Sequence, residues 1–203
     1  MHKILSSGLR DSNDRFTIIE VAIVLQSCIL VFFSEMGDKT QLLALILALR
    51  FKKPGPIMAG IFVATILNHA LASWLGVWAA SFLAPQTLKW IIAGVFIAFA
   101  VWILIPDKDE GLEEVSSRGA FLTTVIAFFF AEMGDKTQLA TVALGAQFNN
   151  MLAVTAGTTL GMLMADGLAV FFGEKLTKKI PLQWVRRITS MMFALFGVAV
   201  LLF

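Results

Sequence analysis

Apolar positions run through the chain in six long segments separated by short polar ones. No Asp, Glu, Lys or Arg occurs in residues 21–34, 54–88 or 90–106. A membrane-spanning helix needs about 20 predominantly apolar residues. The pattern therefore predicts spans near residues 17–49, 57–82, 87–105, 120–147, 151–172 and 182–203. The first and fourth are too long for one straight crossing. Each carries a charged segment and is expected to tilt, break or kink at its glycine, Gly37 or Gly134. The organisation expected is an N-terminal surface segment (1–16), three spans (17–105), an acidic linker (106–119) and three further spans (120–203).

The two groups of spans are copies. Residues 35–42 read EMGDKTQL, and residues 132–139 read the same eight letters, 97 positions later. The same ungapped offset pairs Phe51 with Phe148, Gly60 with Gly157, Phe96 with Phe193 and Phe99 with Phe196. Three spans per copy is an odd number, so the second copy would enter the bilayer from the opposite side. The expected fold is all-α, with six transmembrane helices arranged as two inverted-topology three-helix repeats. In such proteins the substrate site lies between the repeats near the midplane.

Composition agrees with that picture and narrows it. Hydrophobic residues make up 58% of the 203 positions and charged residues only 15%. The apolar share is above the average of soluble domains and makes the lipid bilayer the expected surrounding. A net charge of +2 gives no reason to expect a nucleic-acid partner. The single cysteine, Cys28, rules out a disulfide within the chain and any cysteine cluster. No small-residue cleavage site follows the first apolar run, so that run is expected to remain as a span rather than act as a signal peptide. Ten Lys and Arg residues fall in or near the loops after spans one, three and five, against four on the other side. The positive-inside rule then puts the 106–119 linker in the cytoplasm and both termini outside. Trp78, Trp90, Trp102 and Trp184 are placed to anchor the two interfaces.

The repeated segment holds the chemistry. Glu35, Asp38, Glu132 and Asp135 are carboxylates within apolar spans. Ionisable groups there are costly and mark function. On an unbroken helix Glu35 and Asp38 would share a face, as would Glu132 and Asp135. Two facing copies would bring all four together. Oxygen ligands suit Mg²⁺, Ca²⁺ and Mn²⁺. Gln41 and Gln138 could add amide oxygens, and Thr40, Thr137 and Ser34 hydroxyls. Gly37 and Gly134 serve as hinges that free backbone carbonyls.

Lys39 and Lys136 each follow a glutamate by four residues, the favourable order for a helical ion pair. They are read as partners that hold the glutamates or compete with the metal for them. A plainer reading makes these pairs simple helix stabilisers, with the aspartates capping a broken helix. It leaves the symmetric extra aspartates and glutamines unexplained. Met36 and Met133 read as apolar gap-fillers before they read as thioether ligands. His69 and Asp166 occupy equivalent positions in the two copies, and with Asn68 they are candidates for an accessory ligand or proton relay. Gly60, Gly76, Gly157, Gly161 and Gly173 are expected to allow close helix packing. The acidic residues of the linker read as a solvated face.

Two E-x-G-D-[KR]-[ST] segments in a duplicated six-span chain of this length resemble the cation-transporter family found in the Golgi, chloroplasts and bacteria. Within it the likeness is greatest to the bacterial manganese exporters. The likeness runs from residue 18 to residue 203. It implies transport of Mn²⁺ or Ca²⁺ in exchange for protons, with Glu35, Asp38, Glu132 and Asp135 as metal-site residues and Lys39, Thr40, Lys136 and Thr137 as motif partners. It also implies a bacterial inner membrane, export, and Mn²⁺ as cargo with no resident cofactor. Alternating access as the repeats rock about the shared site is the expected mechanism. A Ca²⁺/H⁺ exchanger, a metal channel and an intramembrane enzyme remain as alternatives. The enzyme lacks an obvious nucleophile. The residues alone do not separate monomer from homo-oligomer.

Overall fold

The computed structural model describes residues 2–105, 119–173 and 182–202, with residues 2–16 described by backbone alone. Apart from Gly119, the linker expected at 106–119 lies outside the described residues, as do Lys175, Lys178 and Lys179. Among the described residues the chain forms eight helices and no strand. They are α1 (His2–Glu35), α2 (Lys39–Phe51), α3 (Pro54–Ala80), α4 (Pro85–Ile103), α5 (Ala120–Glu132), α6 (Lys136–Phe148), α7 (Met151–Phe172) and α8 (Leu182–Leu202).

Both long segments are broken at the motif. Gly37 has φ +81° and Gly134 has φ +77°, a left-handed backbone that glycine adopts without Cβ strain. Helix α1 ends at Glu35 and α5 at Glu132, and new helices begin at Lys39 and Lys136. The α2 and α6 helices are each 13 residues long. They end alike, at Lys52 with φ 53° and at Asn149 with φ 48°, positions 97 apart. Prolines at the start of α3 and the Asn150 side chain, which accepts from the Ala153 amide at 3.0 Å, begin the helices that follow.

Five of these helices are long and apolar enough to cross a membrane: Thr17–Glu35, Pro54–Ala80, Pro85–Ile103, Met151–Phe172 and Gln183–Leu202. The fourth expected span is instead divided between α6 and the shorter apolar helix Ala120–Glu132. The protein is thus an all-helical, multi-pass membrane protein with five full-length candidate spans among the described residues, two of its apolar segments being interrupted at the motif.

The two copies interleave. Helix α1 packs chiefly on α7, and α5 on α3; α6 lies against α3, and α2 against α7. Each of these contacts has its counterpart when the copies are exchanged. The glycines show how close these contacts are. A Cβ on Gly157 would stand 2.4 Å from the Val24 carbonyl and 2.8 Å from Ser27 Cβ. One on Gly60 would stand 2.9 Å from the Phe121 carbonyl and 2.7 Å from Thr124 Cβ. Val24 and Phe121, like Ser27 and Thr124, are 97 residues apart, so one crossing is built twice. Gly76 and Gly161 also face backbone at close range, whereas Gly173, with φ +60° and open space around it, terminates α7 instead. Where α4 meets α8, equivalent phenylalanines meet each other: Phe96 and Phe193 have ring centroids 5.9 Å apart. The exchanged pairs Phe96–Phe196 and Phe99–Phe193 lie at 4.7 and 6.1 Å.

Candidate metal site

The helix breaks bring the motifs together. Glu35, the last residue of α1, and Glu132, the last of α5, are both fully buried, and Asp135 is 6% exposed. One carboxylate oxygen from each of the three lies within 4.8 Å of the others. These are hard oxygen donors from both copies of the segment, in an interior that otherwise has little tolerance for charge.

The hydroxyls divide unequally between them. Glu35 accepts from Thr40 of its own motif at 2.6 Å, and from Thr137 of the other motif. Glu35 is therefore held from both sides of the repeat interface. Neither oxygen of Glu132 has a hydrogen-bond partner among the described residues, and the same is true of Asp135 Oδ2. A buried carboxylate left without a donor is costly, and a bound cation would satisfy these oxygens.

Lys39 does not pair with Glu35 as an unbroken helix would require. Its Nζ lies 3.2 Å from Asp135 Oδ1, across the interface. Lys136 is 7% exposed, donates to the Ile105 carbonyl at 3.3 Å and stands 5.7 Å from the centroid of Trp102. The α-helical spacing argument fails at both lysines because Gly37 and Gly134 interrupt the helix between each lysine and its glutamate.

Asp38 and Asp135 occupy the N-cap positions of α2 and α6, yet neither side chain caps its helix. Asp38 stands outside the three-carboxylate group. It lines a cavity with Ser34, Lys136, Arg186 and Thr189, beside the motif turn. Arg186 was not a sequence-level candidate; its position at the start of the last apolar segment gave no sign that it would reach a motif turn.

The glutamines act on the turns. The Gln41 amide oxygen accepts from the Gly37 amide at 2.9 Å, and the Gln138 oxygen from the Gly134 amide at 2.7 Å. Backbone groups freed by the helix breaks are thus satisfied in the same way twice. Gln41 Nε2 also donates to the Ala165 carbonyl on α7 at 2.9 Å. Met133 is 56% exposed, which turns it toward the surroundings, and Met36 is half-buried.

His69 on α3 and Asp166 on α7 are fully buried, and neither the ring nitrogens nor the carboxylate oxygens find a partner among the described residues. Asp166 lies within electrostatic reach of Glu35 and Glu132. Asn68 donates to the Phe129 carbonyl on α5 at 3.0 Å.

Comparison with known proteins matches the chain to a family model described as "Divalent cation/proton antiporter GDT1", over residues 23–111 and 120–203. A protein of Vibrio cholerae named "Putative manganese exporter" is 52% identical over 174 residues, covering 85% of this chain and 87% of that protein. "GDT1-like protein 5" of Arabidopsis thaliana is 32% identical over 219 residues, covering 87% of this chain and 94% of its own length. "GDT1-like protein 3" of Oryza sativa subsp. indica is 27% identical over 197 residues, covering 84% and 70%. No solved structure matches the chain significantly.

Proposed function

The chain belongs to the divalent cation/proton antiporter GDT1 family, and on that premise we propose that it exports Mn²⁺ from the cytoplasm in exchange for protons. The observation that carries this reading is the meeting of Glu35, Glu132 and Asp135, buried and drawn from both motifs, with oxygens within 4.8 Å of one another. With Lys39 on Asp135, the formal charges −3 and +1 leave −2, which a divalent ion cancels. The name of the Vibrio cholerae relative supports manganese as the ion and export as the direction.

The binding step uses the free oxygens of Glu132 and Asp135 together with Glu35, whose orientation the two threonines fix. Metal binding requires ionised ligands, so these carboxylates are free of protons whenever the ion is held. Access alternates between the two membrane faces around this site. The exchange-symmetric helix contacts support a pair of inverted three-span repeats, with the interrupted α5–α6 segment counted as the sixth crossing. The lysine and arginine distribution supports a cytoplasmic linker and external termini, and the Vibrio cholerae relative supports a bacterial inner membrane.

Transport by the full chain in proteoliposomes tests the reading. Mn²⁺ and Ca²⁺ are offered separately, with a pH gradient or a sodium gradient. Mn²⁺ movement driven by the pH gradient is expected. Ca²⁺ movement without Mn²⁺ movement makes the protein a Ca²⁺/H⁺ exchanger, and Mn²⁺ movement indifferent to both gradients makes it a channel.

A further inference from the structure

Asp166 is the buried acid that the metal site does not use. It sits inside α7, fully buried, and both of its oxygens are without a hydrogen-bond partner among the described residues. It is not one of the three carboxylates that converge within 4.8 Å. Its equivalent in the first copy is His69, so the second copy alone carries an acid at this position.

Its neighbourhood ties it to the metal site in two ways. The first is charge. The helices packed on α7 are α1, α2, α3 and α6. Their charged or titratable groups near the motifs are Glu35 on α1, Lys39 on α2, His69 on α3 and Lys136 on α6. Of these, Glu35 acts electrostatically on Asp166, and Glu132 on α5 does as well. The second is mechanical. The Gly37 amide donates to Gln41, and Gln41 donates to the carbonyl of Ala165, one residue before Asp166. The turn that carries the first motif is therefore strapped to α7 beside this carboxyl.

We propose that Asp166 binds the counter-proton of the exchange, at a position separate from the metal ligands and coupled to them by charge. The idea rests on the proton-coupled reading above and deepens it. A lone carboxylate with no donor is tolerated in an apolar interior when it is neutralised, either by its own proton or by positive charge close by. Mn²⁺ arriving among Glu35, Glu132 and Asp135 supplies that positive charge, and Asp166 releases its proton to water. When the metal leaves, the two glutamates again repel an ionised Asp166 and it takes a proton back. No covalent bond other than O–H forms or breaks.

The test uses the full chain in proteoliposomes, with Mn²⁺ as the probe, an internal pH dye and isotopic Mn²⁺/Mn²⁺ exchange. For Asp166→Asn, proton movement per Mn²⁺ should fall at least about tenfold while Mn²⁺/Mn²⁺ exchange stays within about threefold of the wild type, the separation expected of a residue needed for one half-reaction only. A ligand or purely structural role would lower exchange together with coupling. Loss of both, or retention of both, overturns the proposal. Infrared difference spectra cover the case of a variant that does not fold. Mn²⁺ should remove a carboxylic-acid carbonyl band from the wild type, and Asp166→Glu should shift that band. A band that Asp166→Glu leaves in place overturns the proposal. Wild-type Mn²⁺ movement without protons overturns the coupling reading and this inference together; proton coupling kept by Asp166→Asn overturns this inference alone.

Discussion

Lys39 and Asp135 come from different copies of the repeated segment, and Lys39 Nζ lies 3.2 Å from Asp135 Oδ1. The ammonium thereby occupies one flank of the carboxylate group that a divalent ion would need. An ion entering the site must share or displace that contact. Lys39 is 38% exposed on its side chain, so solvent screens the pair and its contribution to folding is small. Its consequence lies in binding.

Lys39→Gln should therefore tighten Mn²⁺ binding by about tenfold, equivalent to about 1.4 kcal/mol, while slowing release and turnover. Calorimetric titration of purified protein measures the first, and initial transport rates measure the second. An unchanged affinity would remove Lys39 from the site.

Glu132→Gln should weaken Mn²⁺ binding by at least about tenfold, because ligand charge count sets affinity for hard cations. Asp38→Asn should weaken it less, since Asp38 stands outside the group whose oxygens fall within 4.8 Å of one another. Equal losses in the two variants would show that Asp38 joins the ligand set when metal binds. In the wild type, affinity should fall as pH falls, because the ligands bind metal only when deprotonated.

Thr137→Val should destabilise the protein by about 1–3 kcal/mol, the cost of leaving a buried acceptor without its donor. The Thr137 hydroxyl donates to Glu35 across the interface. Thr137→Ser keeps the hydroxyl and should recover most of that loss. Thermal unfolding in detergent, with and without Mn²⁺, distinguishes the two.

Two glycine substitutions should fail for different reasons. At Gly134 nothing lies within 4 Å of an added Cβ, but φ is +77°, so Gly134→Ala should cost about 1–2 kcal/mol of backbone strain. Gly157→Ala meets the Val24 carbonyl at 2.4 Å and must push α1 away from α7, with a cost of about 1–3 kcal/mol or more. Gly157→Ala should show the lower melting temperature.

Much of this was legible in the sequence. Apolar run length located the helices, and the doubled segment named the three carboxylates that the structure brings together. Gly37 and Gly134 pointed to the breaks. The partners of the lysines were not legible, nor was the separation of Asp38 from the other three carboxylates. Both expectations used the three- and four-residue spacings of a continuous helix. Those spacings stop applying where a left-handed glycine turns the chain between Glu35 and Lys39. The roles of Gln41 and Gln138 at the turns were hidden for the same reason. Their oxygens answer backbone amides that exist as free donors only because the helix is broken. The cross-interface bond from Thr137 to Glu35 spans 102 residues, a contact no local pattern encodes.

The interleaving of the two copies bears on how such a protein can move. Helix α1 clasps α7, and α3 clasps α5 and α6. Neither half of the sequence is thus a separate body, and a hinge placed at the junction between halves has nothing rigid to swing. A displacement that kept these packed pairs together would divide the molecule along other lines, into units that each draw helices from both copies. A motion of that kind would turn the two motif turns against each other directly. The duplicated gene supplies the symmetry, but the closely packed groups of helices are chimeras of its two products.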